Sequence, residues 1–82
     1  MEEQTPRLLD LRGEVCPYTF VKSKLLMEEM EPGQLLELIL DFPPAVKNVS
    51  RSMEMEGHQV VEVQEVDTRV WKILLRKKEH EP

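Results

Sequence analysis

The side chain best suited to chemistry in this 82-residue sequence is Cys16, its only cysteine. Cys16 directly precedes Pro17, and proline is favoured at the first position of a helix because its missing N–H would be unpaired there. The unpaired N–H groups and the positive dipole end of a helix favour a thiolate over a thiol. Arg12, nearby in sequence, adds positive charge. We therefore predict that Cys16 is a nucleophilic thiolate that can attack a sulfane sulfur and hold it as a persulfide.

The alternative for Cys16 is a structural role, because free cysteine is among the most buried residue types. A junction between a loop and a helix just after Gly13 is an unfavourable place for a core residue, which favours the chemical role. A single cysteine excludes an internal disulfide and argues against a thioredoxin-like dithiol reductase. His58 and His80 are far apart in the sequence and give no zinc-ligand spacing. The sequence predicts no metal and no cofactor.

The strands and helices that position Cys16 are predicted from the spacing of apolar residues and from the Pro and Gly residues that end each element. We predict strands at 7–11, 34–40, 60–66 and 69–76, and helices at 17–30 and 45–56. This order of strand, helix, strand, helix, strand, strand predicts an α/β (α+β) two-layer sandwich, with both helices on one face of a four-stranded mixed sheet. We expect one domain with its core at about 7–77 and frayed ends.

Topology predicts where the candidate residues meet. Right-handed crossovers make the first three strands parallel, and a hairpin makes the fourth antiparallel. The carboxyl ends of the first three strands then share one edge, so Cys16, residues 41–44 and residues 67–69 are expected to be neighbours there. His58 is expected at the opposite edge, which argues against a Cys16 and His58 catalytic pair.

The first predicted helix carries two apolar stripes at helical spacing. Residues 20, 23, 27 and 30 share one side, and a second stripe lies roughly opposite. One stripe must face the sheet, and the other is then a candidate docking surface for a partner protein. The alternative is a helix wedged between the sheet and the other helix, with both stripes covered. The candidate docking residues are Tyr18, Val21 and Leu25.

Composition limits the classes of function. The 16 acidic residues against 11 Lys and Arg give a net charge of -5, which disfavours direct nucleic-acid binding because that needs clustered cations. A 40% apolar and 33% charged chain is typical of an ordinary globule. The acidic start is unlike a secretory signal, and the apolar runs are too short to span a membrane. We expect a cytoplasmic protein with a free thiol, no membrane partner and a monomeric state.

The segment Leu9-Asp10-Leu11-Arg12-Gly13-Glu14-Val15-Cys16-Pro17, with Glu31-Pro32-Gly33, Gly57-His58 and a Leu-Leu-Arg-Lys ending, resembles the TusA/SirA-like sulfur-carrier family. The resemblance covers about Leu8 to Lys77 without gaps. It implies a two-layer α/β sandwich and a role for Cys16. In that family the cysteine accepts a persulfide sulfur from a cysteine desulfurase or rhodanese-type donor and passes it to a downstream acceptor protein.

This sequence departs from the family pattern in ways that suggest a subgroup. Thr19 replaces the second proline of a Cys-Pro-x-Pro motif, giving Cys-Pro-Tyr-Thr, and Phe42 replaces an acid in an Asp-Asp-Pro loop. Phe42 would add an apolar surface beside Cys16, and the departures indicate a particular donor or acceptor. The residues expected to support Cys16 are Arg12, Gly13, Pro17, Thr19, Asp41, Phe42, Pro43 and Arg69.

A second hypothesis is a non-catalytic protein-binding or regulatory module in which Cys16 is incidental. Such a module would use the candidate docking stripe or the open sheet face to bind its partner. Direct RNA binding is a weaker third hypothesis because of the acidic charge balance. Transfer RNA thiolation, cofactor biosynthesis, sulfur oxidation and selenium handling all remain open as pathways.

Overall fold

Four strands and two helices follow one another in the predicted order, strand, helix, strand, helix, strand, strand. The computed structural model describes residues 6–14 and 18–78. All the bounds fall within two residues of the sequence prediction. The elements are β1 (Arg7–Asp10), α1 (Tyr18–Glu29), β2 (Leu35–Leu40), α2 (Pro43–Met55), β3 (Gln59–Asp67) and β4 (Val70–Arg76).

The strands form one mixed sheet in the order β1-β2-β4-β3. β1 pairs with β2 in parallel, and β4 pairs antiparallel with both β2 and β3. β1, β2 and β3 therefore point the same way, as predicted, and their carboxyl ends lie at one end of the sheet. β4 lies between β2 and β3, so β1 and β3 are the two edge strands.

The core lies on one face of the sheet, between the strands and both helices. In β2, every second residue, Leu36, Leu38 and Leu40, is fully buried, whereas Leu35, Glu37 and Ile39 on the other face are half-buried. This period of two is the strand geometry that separates a core face from a solvated face. Both helices contribute to the same core cluster, as predicted, with Met27 from α1 and with Ala45, Val49 and Met53 from α2.

Burial decreases across the sheet toward β3. One row of paired residues on the helix side runs Leu9, Leu38, Ile73 and Val63. Leu38 and Ile73 in the two central strands are fully buried, while Val63 in β3 is 45% exposed. The helices thus cover the centre of the sheet and leave β3 largely uncovered.

Helix α2 begins at Pro43, two residues earlier than the sequence predicts. Pro43 and Pro44 occupy the first helical positions, where a missing N–H costs nothing, and Phe42 is the N-cap residue. The tandem prolines therefore start the helix, where we had expected them to belong to a loop. The predicted stop at Gly57 is present: its φ is 98°, and its N–H donates to the carbonyl of Glu54 at 3.0 Å.

The end of α1 is tied to the segment that follows β4. The Lys77 ammonium donates to the carbonyl oxygen of Met30 at 2.7 Å, which is favourable at the negative end of a helix dipole. The Lys77 carbonyl in turn accepts from the Gly33 N–H at 3.0 Å. Within the described part of the chain, no helix is long and apolar enough to cross a membrane.

Candidate functional site

The turn that leads from β1 toward α1 is fastened to the end of β2. The Leu11 N–H donates to the Ile39 carbonyl at 2.8 Å, which extends the parallel pairing by one residue. The Gly13 N–H then donates to Asp41 Oδ1 at 3.0 Å. Gly13 has a φ of 87°, a backbone conformation that glycine adopts without steric cost. Asp41 thus holds the chain three residues before Cys16.

Asp10 and Arg12 form a closed pair beside this turn. The Arg12 guanidinium donates to both Asp10 carboxylate oxygens, the shortest contact being 2.7 Å from Nη2 to Oδ2. The Arg12 N–H also donates to Asp10 Oδ1 at 3.0 Å. The Arg12 side-chain hydrogen bond, followed by this backbone bond, lowers the pKa of Asp10 to about 2. The pair carries no net charge, so Arg12 contributes less positive field than a lone arginine would.

Cys16 and Pro17, the predicted nucleophile and first helical residue, lie outside the described residues. The described part of α1 begins at Tyr18. Their predicted place at the start of this helix therefore stays a prediction. Glu14, the last residue described before them, forms an ion pair with Lys22 of α1, with 2.8 Å between Lys22 Nζ and Glu14 Oε2.

The three predicted site residues that follow β2 have different surroundings. Asp41 is exposed and binds the Gly13 N–H. Phe42, expected as an apolar surface beside Cys16, is half-buried and packs against the core cluster. Pro43 is exposed in the first turn of α2. Asp41 is therefore the residue of the three that connects the end of β2 to the β1–α1 turn.

Arg69 lies at the same end of the sheet as Asp41, in the turn that joins β3 to β4. β4 lies between β3 and β2, and its residue Trp71 pairs with Leu40 on one side and with Glu65 on the other. The expected proximity of Arg69 to Cys16 stays a prediction. The Arg69 N–H donates to the Glu65 carboxylate at 3.2 Å, and its φ is 58°, so its described contacts are those of a turn residue.

The two stripes of α1 differ in burial, since one faces the core and the other is exposed; of the two alternatives left open by the sequence, this is the exposed stripe and not the wedged helix. On the inner side Thr19, Ser23 and Met27 are buried, and the Ser23 hydroxyl donates to the Thr19 carbonyl at 2.7 Å. Thr19, a predicted support residue, is fully buried in the first turn of the described helix. The outer side is apolar and exposed, with Tyr18 at 59%, Val21 at 43% and Leu25 at 57%.

His58 lies at the other end of the sheet, before the first residue of β3, as predicted. Its Nδ1 accepts the Lys78 N–H at 3.1 Å. Partial burial, with the nearby charge of Lys78, lowers the pKa of His58 below its usual range. Among the residues that the structure describes, no group of three or more His, Cys, Asp or Glu could hold a metal ion.

Sequence reasoning missed a groove between α2 and β3, which we call the α2–β3 groove. Its volume is about 790 Å³, and the residues that line it include Pro43, Val46, Lys47 and Ser50 from α2 and Val63 and Trp71 from the sheet. The signal in the sequence was Trp71, an aromatic residue in the fourth predicted strand, which is half-buried in the structure. Without the strand order, nothing indicated that its neighbour β3 was an edge strand.

Comparisons with known proteins agree with this geometry. A family model described as "Sulfurtransferase TusA" matches residues 7–77, from β1 through β4. Two relatives are each named "Putative sulfur carrier protein". The one from Archaeoglobus fulgidus is 52% identical over 71 residues, 87% of this chain and 81% of the relative. The one from Thermotoga maritima is 37% identical over 75 residues, 92% and 95% of the two chains. The crystal structure of a SirA-like protein from Desulfitobacterium hafniense has a TM-score of 0.78 at 26% identity and covers 88% of this chain and 97% of that one.

Proposed function

This chain is a sulfur-carrier protein of the sulfurtransferase TusA family, and we propose that Cys16 is the residue that carries the sulfur. Cys16 is the only cysteine, so it is the only thiol that can form a persulfide. The dipole of the helix that follows it favours the thiolate. The observation that carries the proposal is the match of the family to residues 7–77, which includes Cys16.

The transfer is an exchange at sulfur that needs no external oxidant. The Cys16 thiolate attacks the terminal sulfur of a donor persulfide, and a new S–S bond forms as the donor S–S bond breaks. The donor leaves as a thiolate and takes up a proton, while Cys16 now bears the persulfide. An acceptor thiolate then attacks the outer sulfur and releases Cys16 as a thiolate. Because the chain has no second cysteine, it cannot discharge this persulfide as an internal disulfide.

The surroundings of the turn support this role by fixing the approach to Cys16. Asp41 accepts the Gly13 N–H at 3.0 Å, so the end of β2 holds the segment that leads to the cysteine. Asp41 and Gly13 are therefore positioning residues in this proposal. The neutral Asp10 and Arg12 pair closes the start of the same turn.

Partner docking is assigned to the exposed outer face of α1. A carrier must present its sulfur to a larger donor and then to an acceptor, and an exposed apolar helix face close in sequence to the thiol suits both contacts. We propose that Tyr18, Val21 and Leu25 contact a desulfurase or rhodanese-type donor. This chemistry requires a free thiol, which a reducing compartment preserves, so we infer a cytoplasmic location.

The test is mass spectrometry of the intact protein after incubation with a cysteine desulfurase and cysteine, or with a rhodanese and thiosulfate. We expect the wild type to gain the mass of one sulfur atom, and a reductant to remove it. Cys16→Ala should gain none. Equal gain by Cys16→Ala, or no gain by the wild type with either donor, would contradict the proposal.

The exposed α1 face also favours one competing function, a binding module in which Cys16 is incidental. Pull-downs with Cys16→Ser and Val21→Asp separate the two. A carrier loses its sulfur-dependent activity in Cys16→Ser although its partners still bind. A module keeps both partners and activity in Cys16→Ser and loses them in Val21→Asp.

A further inference from the structure

β3 is an edge strand with an unusual amount of accessible backbone. It runs for nine residues, whereas the opposite edge strand, β1, has four. An edge strand directs the N–H and C=O groups of alternate residues away from its sheet, where they can pair with another chain. Natural proteins usually shorten or cover such an edge, twist it with bulges, or place charged residues or proline on it. β3 is long and exposed and contains neither lysine nor proline; it carries acidic residues and two bulges.

Two bulges define which part of β3 can accept a further strand. Register shifts occur between Val60 and Glu62 and between Glu65 and Asp67. A bulge twists an edge and interrupts its pairing. The four residues between them, 62–65, keep a regular register with β4, so they form the part of the edge suited to pairing.

The α2–β3 groove lies beside this regular segment. Val63 lines the groove and is 45% exposed, and Trp71 from the adjacent strand is half-buried in its wall. Val46 of α2 lies on the opposite side. A strand added to the outer edge of β3 would place every second side chain toward the helix layer, where this groove offers apolar contacts.

The charge on β3 indicates which side chains an added strand should carry on its face away from the groove. The acidic residues Glu62, Glu65 and Asp67 are all exposed, and the strand carries no basic residue. Lys72 lies on β4 opposite Gln64, one strand further in, and Lys47 of α2 lines the groove. A strand on the outer edge would therefore meet Glu62 on the sheet face opposite the groove and Glu65 on the groove side, where its pair partner Trp71 lies.

We propose that the outer edge of β3 binds an extended segment of a partner protein as a fifth strand. The segment alternates apolar side chains, which enter the α2–β3 groove, with lysine or arginine side chains, which lie on the opposite face beside Glu62. The proposed pairing uses neither the Cys16 thiol nor the exposed face of α1, and it does not depend on sulfur transfer. The carrier would then hold a partner through β3 while Cys16 exchanges sulfur.

The probe is a capped seven-residue peptide of alternating lysine and valine, added to full-length Cys16→Ser protein. Trp71 is the only tryptophan, so its fluorescence reports occupancy of the groove, and amide NMR shifts report the strand. We expect saturable binding with shifts at residues 62–65. A peptide with glutamate in place of lysine, and one N-methylated at alternate amides, should each bind about tenfold more weakly or worse.

Matched variants locate the site. Val63→Lys should weaken binding of the lysine–valine peptide by about tenfold, whereas Leu8→Lys, at an exposed apolar position on the other edge strand, should leave it unchanged. Glu62→Lys tests the charge alone if Val63→Lys proves poorly folded by circular dichroism. Equal weakening by Leu8→Lys, or no shifts in β3, overturns the proposal. Concentration-dependent dimerisation of the free chain that Val63→Lys abolishes would also overturn it, because a second copy would then cover the edge.

Discussion

The two helices pack on the same face of the sheet, but the polarity of their inner and outer sides differs. In α2 the inner side is apolar, with Val49 and Met53 fully buried, and the outer side is mostly polar and charged. In α1 the inner side includes two buried hydroxyl residues, Thr19 and Ser23, and the outer side carries exposed apolar residues such as Leu25. α2 follows the usual amphipathic pattern of a surface helix, and α1 departs from it.

This contrast teaches that the two helices contribute differently to fold and function. Exposed apolar surface on α1 does not stabilise the isolated chain, since it remains in water. Its arrangement at positions 18, 21 and 25 forms one continuous stripe on the helix that follows Cys16. We infer that α2 chiefly stabilises the fold, while α1 combines a modest packing role with the binding of partners.

The largest expected effect is on the inner side of α2. Met53→Ala removes a fully buried side chain from the core, and such changes cost about 2–5 kcal/mol of unfolding free energy. Met55→Ala is the matched control, because the same substitution two residues away alters a side chain that is 83% exposed. We expect the control to stay within about 0.5 kcal/mol of wild type. Urea denaturation measures both, and equal losses would contradict the assignment of α2 to the core.

The second prediction concerns the outer side of α1. Val21→Asp should leave the unfolding free energy within about 0.5 kcal/mol of wild type, because Val21 is 43% exposed. It should slow sulfur loading of Cys16 by a desulfurase or rhodanese by about tenfold, as expected for a disrupted docking contact. The measurement is the rate of mass gain at limiting donor.

Met55→Asp is the control for this second prediction, since it places the same charge at an exposed apolar position on the other helix. We expect unchanged loading in this variant. If Val21→Asp loads at the wild-type rate, the outer face of α1 is not the docking surface for that donor. If Met55→Asp slows loading equally, added negative charge accounts for the effect, and the contrast between the helices has no functional meaning.

Much of the fold was predictable because its signals are local. The alternating burial of β2 and the stop at Gly57 follow from residue type and spacing, and both helices lie within two residues of their predicted bounds. The strand order was harder, because no local signal distinguishes a β4 inside the sheet from a β4 at its edge. That one non-local fact makes β3 an edge strand and places Trp71 of β4 beside the end of β2.

The candidate site was predictable to a lesser extent, because it depends on pairs that sequence spacing cannot reveal. Asp41 was expected near the turn, but its specific partner, the Gly13 N–H, is 28 residues away. The pairing of Arg12 with Asp10 was not foreseen, although the two residues are close in sequence and Asp10 accepts both side-chain and backbone bonds. Thr19 was expected to support the cysteine and is fully buried in the first described turn of α1, and its role at Cys16 stays a prediction.

The third prediction tests the approach to α1 at Asp41. Asp41→Ala removes the acceptor of the Gly13 N–H, and one exposed hydrogen bond contributes about 1 kcal/mol. We expect sulfur loading to slow by about fivefold, since about 1 kcal/mol corresponds to that factor. Asp41→Asn keeps a carbonyl oxygen at the same position and should restore most of the rate. Failure of asparagine to rescue would mean that the charge of Asp41, and not its hydrogen bond, is what matters.

The smallest effect is expected where α2 ends, at His58. Burial and Lys78 lower the pKa of His58, so the folded state favours the neutral ring more than the unfolded state does. Below about pH 6.5 the unfolded chain therefore binds more protons, and stability falls as the pH drops toward the folded pKa. His58→Asn offers an acceptor to the Lys78 N–H but does not titrate, so this part of the pH dependence should vanish. Urea midpoints of the two proteins between pH 7.5 and pH 5, conditions chosen to bracket about pH 6.5, measure the difference, and parallel curves would mean that His58 has an unperturbed pKa. In that case the protonation of His58 would not affect the end of α2, and Gly57, with its hydrogen bond to the Glu54 carbonyl, would be sufficient to stop the helix.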